Sequence, residues 1–217
     1  MTPIESKPLG RSFFGRPADV VAEELLGCYF VRMSDDGTRD DGTTAGWIVE
    51  TEAYLPNNDP ASHAARGLTR SNKSMFGPPG LCYVYPIHAK HCVNVSTDDE
   101  GVGSAVLLRA IEPHGGFELM QQRRGAVPEL DWCRGPARLC QAFAIDRQQD
   151  GCDMTCSQEL WIAPGLKPRR VSRSPRIGVT SAEDAELRFF VDGNRFVSGL
   201  RRNHSTRPVE RLADDVL

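Results

Sequence analysis

The stretch GWIVETEAYL, residues 46–55, begins as an apolar run typical of a buried strand, yet it contains Glu50 and Glu52. A carboxylate buried without a partner is costly or shifts its pKa. In one uninterrupted strand, alternate side chains share a face, so Ile48, Glu50, Glu52 and Tyr54 would lie together. A carboxylate beside an aromatic ring, at the start of a long polar loop, has the position of a site residue. The alternatives are solvated glutamates, or a Glu50 that pairs with a buried arginine.

A second aromatic group occurs in the segment CYVYPIH, residues 82–88. Tyr83 and Tyr85 share a face by the same alternation, although a tyrosine stripe is more often core packing than a binding surface. Arg109, in the apolar run SAVLLR, and His63, in the loop after GWIVETEAYL, could join them at one edge of a sheet. Sequence spacing alone leaves open whether these groups meet.

The composition predicts one ordinary globular domain. The chain has 217 residues, 40% of them hydrophobic and 25% charged, which excludes a disordered or fibrous class. Its N-terminus lacks the apolar core of a secretory signal, and no stretch is long enough to span a membrane. The seven cysteines are odd in number, include no Cys-x-x-Cys pair and lie partly in apolar runs. We therefore expect a cytoplasmic protein without disulfides.

The formal net charge of −3 excludes nonspecific coating of nucleic acid. The basic residues are nevertheless mostly arginines, and they cluster at residues 123–124, 134–138, 169–176 and 201–202, whereas acidic residues concentrate at 34–41 and 96–100. The planar guanidinium of arginine suits bidentate phosphate contacts, so a segregated surface could bind a polyanion. The alternative is a scatter of solvated charges.

The pattern of elements predicts an α+β protein with a largely antiparallel sheet, because strands dominate and helices come in blocks. We predict a helix over 16–27, with Asp19 as N-cap and Gly27 as its end. The other predicted helices are 116–124 and 136–145. The predicted strands are 28–33, 44–55, 81–87, 91–96, 104–113, 159–164, 176–180 and a hairpin over 187–199 that turns at residues 192–194. The loop 55–79 is long enough to be either functional or disordered.

Several segments, in order from about residue 13 to residue 197, resemble one known family. They are ELLGCYFVR, IVETEAYL, the histidine nine residues beyond Tyr54, MFGPPGLCYVY, VLLRAIEP, RGPARLCQAFAI, RIGV and LRFFVDG. Together they resemble the alkyladenine (3-methyladenine) DNA glycosylases of the mammalian type, and we take the chain as a bacterial member. The resemblance implies a curved, largely antiparallel sheet of the formyltransferase C-terminal-like barrel type with flanking helices. It divides the chain into a tail at 1–12, a glycosylase domain at 13–200 and a tail at 201–217.

The resemblance also implies the activity. Such enzymes flip alkylated or deaminated purines, such as 3-methyladenine, 7-methylguanine, ethenoadenine and hypoxanthine, from duplex DNA. They then hydrolyse the N-glycosidic bond and leave an abasic site, without metal or organic cofactor. Because no lysine stands at the matching catalytic positions, we expect a monofunctional glycosylase, with damaged duplex DNA as its partner and a monomer as its state.

Position by position, Glu52 matches the catalytic glutamate of the family, which deprotonates a water that attacks the sugar C1′. Arg109 matches the arginine that helps to hold this water, together with a carbonyl near Ile177 or Gly178. Glu50 is left as a supporting residue.

The resemblance assigns the base pocket to four side chains. Tyr54, His63 and Tyr85 would sandwich the flipped base, and an electron-rich slot favours cationic 3- and 7-alkylpurines by roughly 0.5–2 kcal/mol. Asn94 would lie on the pocket floor and discourage normal guanine by crowding its exocyclic amine.

One hairpin tip departs from the family pattern. His88 stands where the family has a wedge tyrosine, Ala89 replaces a glycine, and the segment is one residue shorter. Proteins that unstack bases usually insert apolar wedges, so we expect this tip to alter substrate choice. Lys90, and Arg138 elsewhere in the chain, are candidates for contacts to the DNA backbone. Two alternatives are a metal bound by a His-x-x-His-Cys pattern at 88–92 and lyase activity from Lys90.

Two rival functions remain compatible with the residues alone. The first is a non-catalytic protein of the same fold that binds damaged nucleic acid, its tip having lost the flipping function. The second is an enzyme that uses the same scaffold on a soluble purine derivative. Scission of a lesion-bearing duplex after alkali separates both from a glycosylase.

Overall fold

One eight-stranded sheet organises the computed structural model, which describes residues 6–33, 42–87 and 89–199. Its strands are β1 (Tyr29–Met33), β2 (Thr43–Tyr54), β3 (Cys82–Ile87), β4 (Lys90–Ser96), β5 (Ala105–Gly115), β6 (Leu160–Ala163), β7 (Val171–Ser174) and β8 (Arg188–Val191). The strand order is β3-β4-β5-β2-β1-β6, with β8 paired to both β2 and β7. All of these pairings are antiparallel. The sheet curls into a half-barrel, which confirms the predicted α+β class and curved sheet.

Strand β2 is the centre of the sheet. Its first half pairs with β1 and its second half with β8, while β5 runs along its other edge. The pairing of β2 with β5 is irregular at Ala45/Gly46 and around Glu50. A side chain at Gly46 would meet the carbonyl oxygen of Glu112 at 2.4 Å, so the two strands approach too closely there for any other residue.

The irregularity around Glu50 changes which side chains share a face. Ile48 packs in the main core with Ala53, whereas Val49 packs in a separate cluster with Phe190. The prediction that Ile48 lies with the two glutamates is therefore wrong. The side chains change faces because β2 has a bulge near Glu50, where one extra residue reverses the alternation.

Within the described residues, four α-helices accompany the sheet: α1 (Arg11–Phe14), α2 (Ala18–Glu24), α3 (Phe117–Arg124) and α4 (Pro136–Ala142). Helix α2 packs against β2 and β5, and α4 against β4 and β5, so the main core lies between these helices and one face of the sheet. The prediction of α2, α3 and α4 is confirmed. Asp19 is not the N-cap of α2, because Pro17 occupies that position and Asp19 lies in the first turn.

Gly27 was predicted to end the helix, but α2 ends at Glu24 with Leu25 as its C-cap, and Gly27 lies in the turn that follows. It has a φ of +84°, and a side chain there would lie 1.9 Å from the carbonyl oxygen of Leu166. The chain reverses at this point because only glycine fits, and β1 begins two residues later.

The long loop 55–79 is ordered by two 3₁₀ helices, His63–Arg66 and Lys73–Phe76. Asn72 holds the loop together, because its side-chain amide donates to the carbonyls of His63 and Gly67 at 3.3 and 3.0 Å. The loop is therefore an ordered part of the structure. Its residues pack with the aromatic side chains of β3 on the face of the sheet opposite α2 and α4.

Two predicted C-terminal elements are wrong. Residues 176–180 form no strand, and residues 195–199 do not return as the second arm of a hairpin. Strand β8 pairs with β7, which the sequence pattern missed, and with β2. The physical reason is that Phe196 and Val197 pack in the cluster of Val49, so this arm folds onto β2 and β8 instead of lying beside β8 as a strand.

Candidate active site

Glu52 lies fully buried near the end of β2, where three chain segments converge on its carboxylate. Its Oε1 accepts a hydrogen bond from the backbone N–H of Ile177 at 2.7 Å. Its Oε2 accepts one from the Tyr54 hydroxyl at 3.0 Å and lies 3.1 Å from Nη1 of Arg109. These donors fix the orientation of the carboxylate, and they confirm that Glu52 and Tyr54 share a face.

A second buried carboxylate, Glu50, anchors two arginines. Its Oε1 accepts from Nε of Arg109 at 3.2 Å and from Nε of Arg188 at 2.6 Å, and its Oε2 accepts from the N–H of Ser198 at 2.7 Å. Burial alone would raise the pKa of Glu50, but the charges of Arg109 and Arg188 and the Ser198 hydrogen bond outweigh it and hold the pKa below its ordinary value. Glu50 therefore pairs with buried arginines, one of the alternatives left open by the sequence.

Arg109 links the two carboxylates. Its side chain contacts both Glu50 and Glu52, and Nη1 also donates to the carbonyl oxygen of Ile177 at 3.4 Å. Burial lowers the pKa of Arg109, but Glu52 and Glu50 raise it above its ordinary value, so the guanidinium keeps its charge. The carbonyl oxygen of Ile177 and the guanidinium of Arg109 thus lie together beside Glu52.

A cavity of about 310 Å³ opens beside this charge cluster. Its walls include Tyr54, His63, Tyr83, Tyr85 and Asn94. Its size falls at the lower end of the range for small-molecule sites, and aromatic walls with a few fixed polar groups are typical of such sites. The structure therefore brings all four side chains of the predicted pocket to one cavity, and adds Tyr83 to them.

The aromatic side chains of the cavity pack on one another. His63 meets Tyr85 edge to face with ring centroids 4.6 Å apart, and its Nδ1 lies 2.7 Å from the Tyr83 hydroxyl. Tyr83 and Tyr85 lie 5.8 Å apart on one face of β3, as their spacing predicts. The side-chain amide of Asn94, on β4, donates to the Tyr83 carbonyl at 3.0 Å. His63, Tyr83 and Tyr85 thus form one continuous aromatic wall.

The environment keeps this wall uncharged. Burial lowers the pKa of His63, and the nearby charge of Arg66 lowers it further. Burial, with a smaller effect from Asp150, raises the pKa of Tyr83 to about 12. At neutral pH the histidine is therefore neutral and the phenol keeps its proton.

The pKa of His63 provides a test of this environment. Replacing Arg66 with glutamine is expected to raise the pKa of His63 toward its ordinary value of about 6.5, because one of the two causes of the shift is removed. The folded state disfavours protonated His63, so neutral His63 stabilises the folded state. This contribution is complete above about pH 6.5, the unfolded pKa, and is lost as the pH falls through the lower pKa of the folded state. An NMR titration of the His63 ring measures the shift. An unchanged pKa in the Arg66→Gln protein would contradict the assigned cause.

Sequence reasoning missed the buried pair Arg176 and Asp59. The two terminal nitrogens of Arg176 each lie 2.7 Å from a different oxygen of Asp59, and Nη1 also donates to the Ala53 carbonyl at 3.0 Å. The guanidinium stacks 4.7 Å from the centre of the Tyr54 ring. The available signals were an arginine that begins the RIGV segment and an acidic residue in the polar loop, but they stand 117 residues apart.

Arg188 and Ser198 were also missed. Arg188 is fully buried and donates from Nη1 to Ser174 Oγ at 2.8 Å. The signal was a charged residue within the apolar run LRFF, which requires a buried counter-charge. That partner, Glu50, cannot be identified from spacing because it is 138 residues away.

The predicted DNA-contacting residues lie outside the aromatic cavity or outside the described residues. His88 lies outside the described residues. Lys90 is exposed at the start of β4, opposite Ile87. Arg138 is exposed on α4, pairs with Asp131 at 2.6 Å and lines a second cavity of about 590 Å³. Arg109 also lines this second cavity, so the buried charge cluster lies at its wall.

None of the helices in the described residues has the length and apolar character needed to cross a bilayer. Within the same ranges, no group of three or more His, Cys, Asp or Glu side chains is arranged to hold a metal ion. All seven cysteines are free thiols.

Comparison with known proteins gives one consistent result. The family model described as "Methylpurine-DNA glycosylase (MPG)" matches residues 12–195. A protein of Rhodopirellula baltica is 49% identical over 207 residues, covering 92% of this chain and 86% of its own. A protein of Methanoculleus marisnigri is 44% identical over 195 residues, covering 88% and 98%, and one of Bacillus subtilis is 39% identical over 198 residues, covering 89% and 98%. All three are named "Putative 3-methyladenine DNA glycosylase".

The matched range contains the carboxylates, the arginines that hold them and every described wall of the aromatic cavity. The chain therefore belongs to the methylpurine-DNA glycosylase family and is a monofunctional DNA glycosylase, a hydrolase of DNA repair.

Proposed function

We propose that this enzyme flips alkylated or deaminated purines out of duplex DNA into the aromatic cavity and hydrolyses their N-glycosidic bond. The observation that carries the proposal is the Glu52 carboxylate, which is hydrogen-bonded at 3.0 Å to Tyr54, a wall of that cavity. A base must leave the stack before an enzyme can reach its glycosidic bond, and damaged bases leave more cheaply. The substrates we assign are 3-methyladenine, 7-methylguanine, ethenoadenine and hypoxanthine.

In the proposed reaction Glu52 is the general base. The oxygen of a water molecule forms a bond to C1′ while the glycosidic bond breaks, its electron pair departs with the purine, and the proton of the water passes to Glu52. Arg109 and the carbonyl of Ile177, which lie 3.4 Å apart, are positioned to hold the water. The negative charge of Glu52 also stabilises the positive charge that develops on the sugar.

The aromatic walls suit the proposed substrates. Tyr54, His63 and Tyr85 present ring surfaces to a flipped purine, and neutral His63 adds no charge that would repel a cationic base. Asn94 is held in place by its hydrogen bond to Tyr83, so its amide can crowd the exocyclic amine of normal guanine. Cationic purines leave without prior protonation, so one carboxylate suffices for them.

One assay tests this proposal. The native protein is incubated with duplexes that carry a single ethenoadenine or hypoxanthine, and the products are analysed before and after alkali. We expect strand scission only after alkali, because the enzyme leaves an intact abasic strand. Absence of scission for both lesions would overturn the proposed substrates, and scission without alkali would overturn the hydrolytic mechanism.

We further propose that the domain at 13–200 acts as a monomer on DNA in the cytoplasm, with the tip at His88 and Lys90 entering or contacting the duplex. Lys90 is exposed beside Ile87, which also lines the aromatic cavity, so the tip and the pocket are neighbours. Arg138 is proposed to contact a backbone phosphate from the second cavity, where Arg134 is close by.

Salt dependence tests the two proposed phosphate contacts. Lys90→Ala and Arg138→Ala are each expected to weaken DNA binding. Each should also reduce the slope of the logarithm of the DNA-binding constant against the logarithm of salt concentration by about 1, because each phosphate contact releases about one counterion. Fluorescence anisotropy at several salt concentrations gives the slope. Lys167→Ala is the control, because Lys167 is exposed after β6, at the opposite end of the strand order from β3. A native slope in both variants would remove these residues from the interface.

A further inference from the structure

We infer that Arg176 is a positioning residue whose charge, balanced by Asp59, sets how strongly the cavity favours cationic over neutral purines. The inference rests on the proposed function, and it assigns a specificity role to a pair of residues that do not line the cavity. Its basis is that the guanidinium of Arg176 stacks on the ring of Tyr54, which lines the cavity.

The geometry around Tyr54 is two-sided. The ring lines the cavity, whereas Arg176 is not one of the cavity walls. The guanidinium lies 4.7 Å from the ring centre, and the side chains of Arg176 and Asp59 are only 0% and 1% exposed. The ring therefore separates a fixed, dehydrated ion pair from the space proposed for the base.

A cation on one face of an aromatic ring opposes a second cation on the other face. Both are attracted by the same π electrons, and they repel each other through the ring. A buried guanidinium behind Tyr54 therefore weakens the preference of the slot for a cationic purine, whereas a neutral purine is little affected. Asp59 offsets part of this effect, because its carboxylate holds the guanidinium with two hydrogen bonds of 2.7 Å.

Arg176 also acts on the reaction through the backbone. The next residue, Ile177, donates its N–H to Glu52 at 2.7 Å and offers its carbonyl to Arg109. Loss of the pair with Asp59 would therefore misplace Glu52 as well as Tyr54. Arg176→Lys keeps the charge but loses the bidentate contact, so it measures this positional effect separately from the effect of charge.

The experiment compares single-turnover excision of 7-methylguanine, a cationic base, with that of hypoxanthine, a neutral one, in otherwise identical duplexes. Arg176→Gln removes the cation and leaves Asp59, so the ratio of cationic to neutral excision is expected to rise about three- to tenfold. Asp59→Asn leaves the cation unbalanced, so the ratio is expected to fall by a similar factor. Arg176→Lys keeps the charge and loses the bidentate contact, so both rates fall and the ratio stays within about twofold of native.

Arg173 provides the matched control. Its guanidinium stacks 4.9 Å from the Phe189 ring centre and pairs with Glu23 at 2.6 Å, but Phe189, unlike Tyr54, is not a wall of the aromatic cavity. Arg173→Gln is expected to leave the ratio unchanged. This variant shows whether the loss of any arginine–ring contact is enough to change the ratio.

Ratios that are equal in all variants, or that move in the same direction in Arg176→Gln and Asp59→Asn, would overturn the inference. If native enzyme excises neither lesion, the proposed function itself fails, and the two failures are thus distinguishable. Circular dichroism at the assay temperature verifies folding. If Arg176→Gln does not fold, the fall in Asp59→Asn and the constancy in Arg176→Lys decide the outcome.

Discussion

Replacing Glu52 with glutamine is expected to slow base excision by about 10²- to 10⁴-fold, because an amide cannot accept the proton of the attacking water. The side chain keeps its size, and its Oε1 can still accept the hydrogen bond from Ile177 that Glu52 accepts at 2.7 Å. Single-turnover excision of ethenoadenine, measured with the enzyme in excess, gives the rate of the chemical step without product release.

Two controls separate lost chemistry from lost structure. Lesion binding by the Glu52→Gln protein, measured by fluorescence anisotropy, is expected to stay within about tenfold of native, because the aromatic cavity is unchanged. Glu118→Gln, on the exposed face of α3, removes a carboxylate of the same type far from the site and is expected to keep native activity. A Glu52→Gln rate within a factor of about ten of native would exclude a general base at this position.

Replacing Glu50 with glutamine is expected to lower the free energy of unfolding by about 3–5 kcal/mol. The substitution leaves Arg109 and Arg188 buried without the carboxylate that both contact, at 3.2 and 2.6 Å. Breaking one side of a buried ion pair is far more costly than breaking an exposed one, because the remaining charge is not solvated. Urea denaturation, with the slope checked for constancy, measures the change.

The control for Glu50 is a surface carboxylate. Glu24 pairs with Arg16 at 2.9 Å with its side chain 49% exposed, so Glu24→Gln is expected to cost less than about 1 kcal/mol. Equal losses in the two variants would contradict the view that Glu50 is the centre of the buried charge cluster.

The pH dependence of stability has a defined sign. The pKa of Glu50 is lower in the folded state, so its contribution is complete above the unfolded value of about 4.3 and is lost as the pH falls through the folded pKa. The Glu50→Gln protein should therefore lose less stability than native protein over that acidic interval. Parallel acid-denaturation curves in the two proteins would contradict the assigned shift.

The sequence pattern predicted local relations well. Alternation along β2 and β3 correctly paired Glu52 with Tyr54 and Tyr83 with Tyr85, because both pairs are two residues apart in regular strand. It failed at Ile48, where a bulge shifts the register. Bulges depend on the partner strand, so one strand's pattern cannot reveal them.

The larger errors lie in the C-terminal third, and they have a common cause. The N–H groups of Ile177 and Ser198 bind Glu52 and Glu50 at 2.7 Å each, instead of bonding to a neighbouring strand. These segments have the apolar composition of strands, but their backbone N–H groups donate to buried carboxylates, so they need no neighbouring strand as a hydrogen-bond partner. The hydrogen bonds of the site thus outweigh the strand preference of residues 176–180 and 195–199.

The choice of Glu52 over Glu50 came from the family resemblance and not from spacing, which could only place the two together. The structure adds a physical distinction between them. Glu50 is held by Arg109, Arg188 and Ser198, whereas Glu52 contacts a wall of the aromatic cavity through Tyr54. This difference supports Glu52 as the base and Glu50 as the anchor of Arg109.

We propose that Glu52 drives hydrolysis of a purine held in the aromatic cavity. The most direct test is a side-by-side time course of hypoxanthine excision by native and Glu52→Gln enzyme, both in excess over one lesion-bearing duplex. We expect alkali-dependent scission that goes to completion with native enzyme and is nearly absent with the variant on the same time scale. Scission at comparable rates by the two proteins would contradict it.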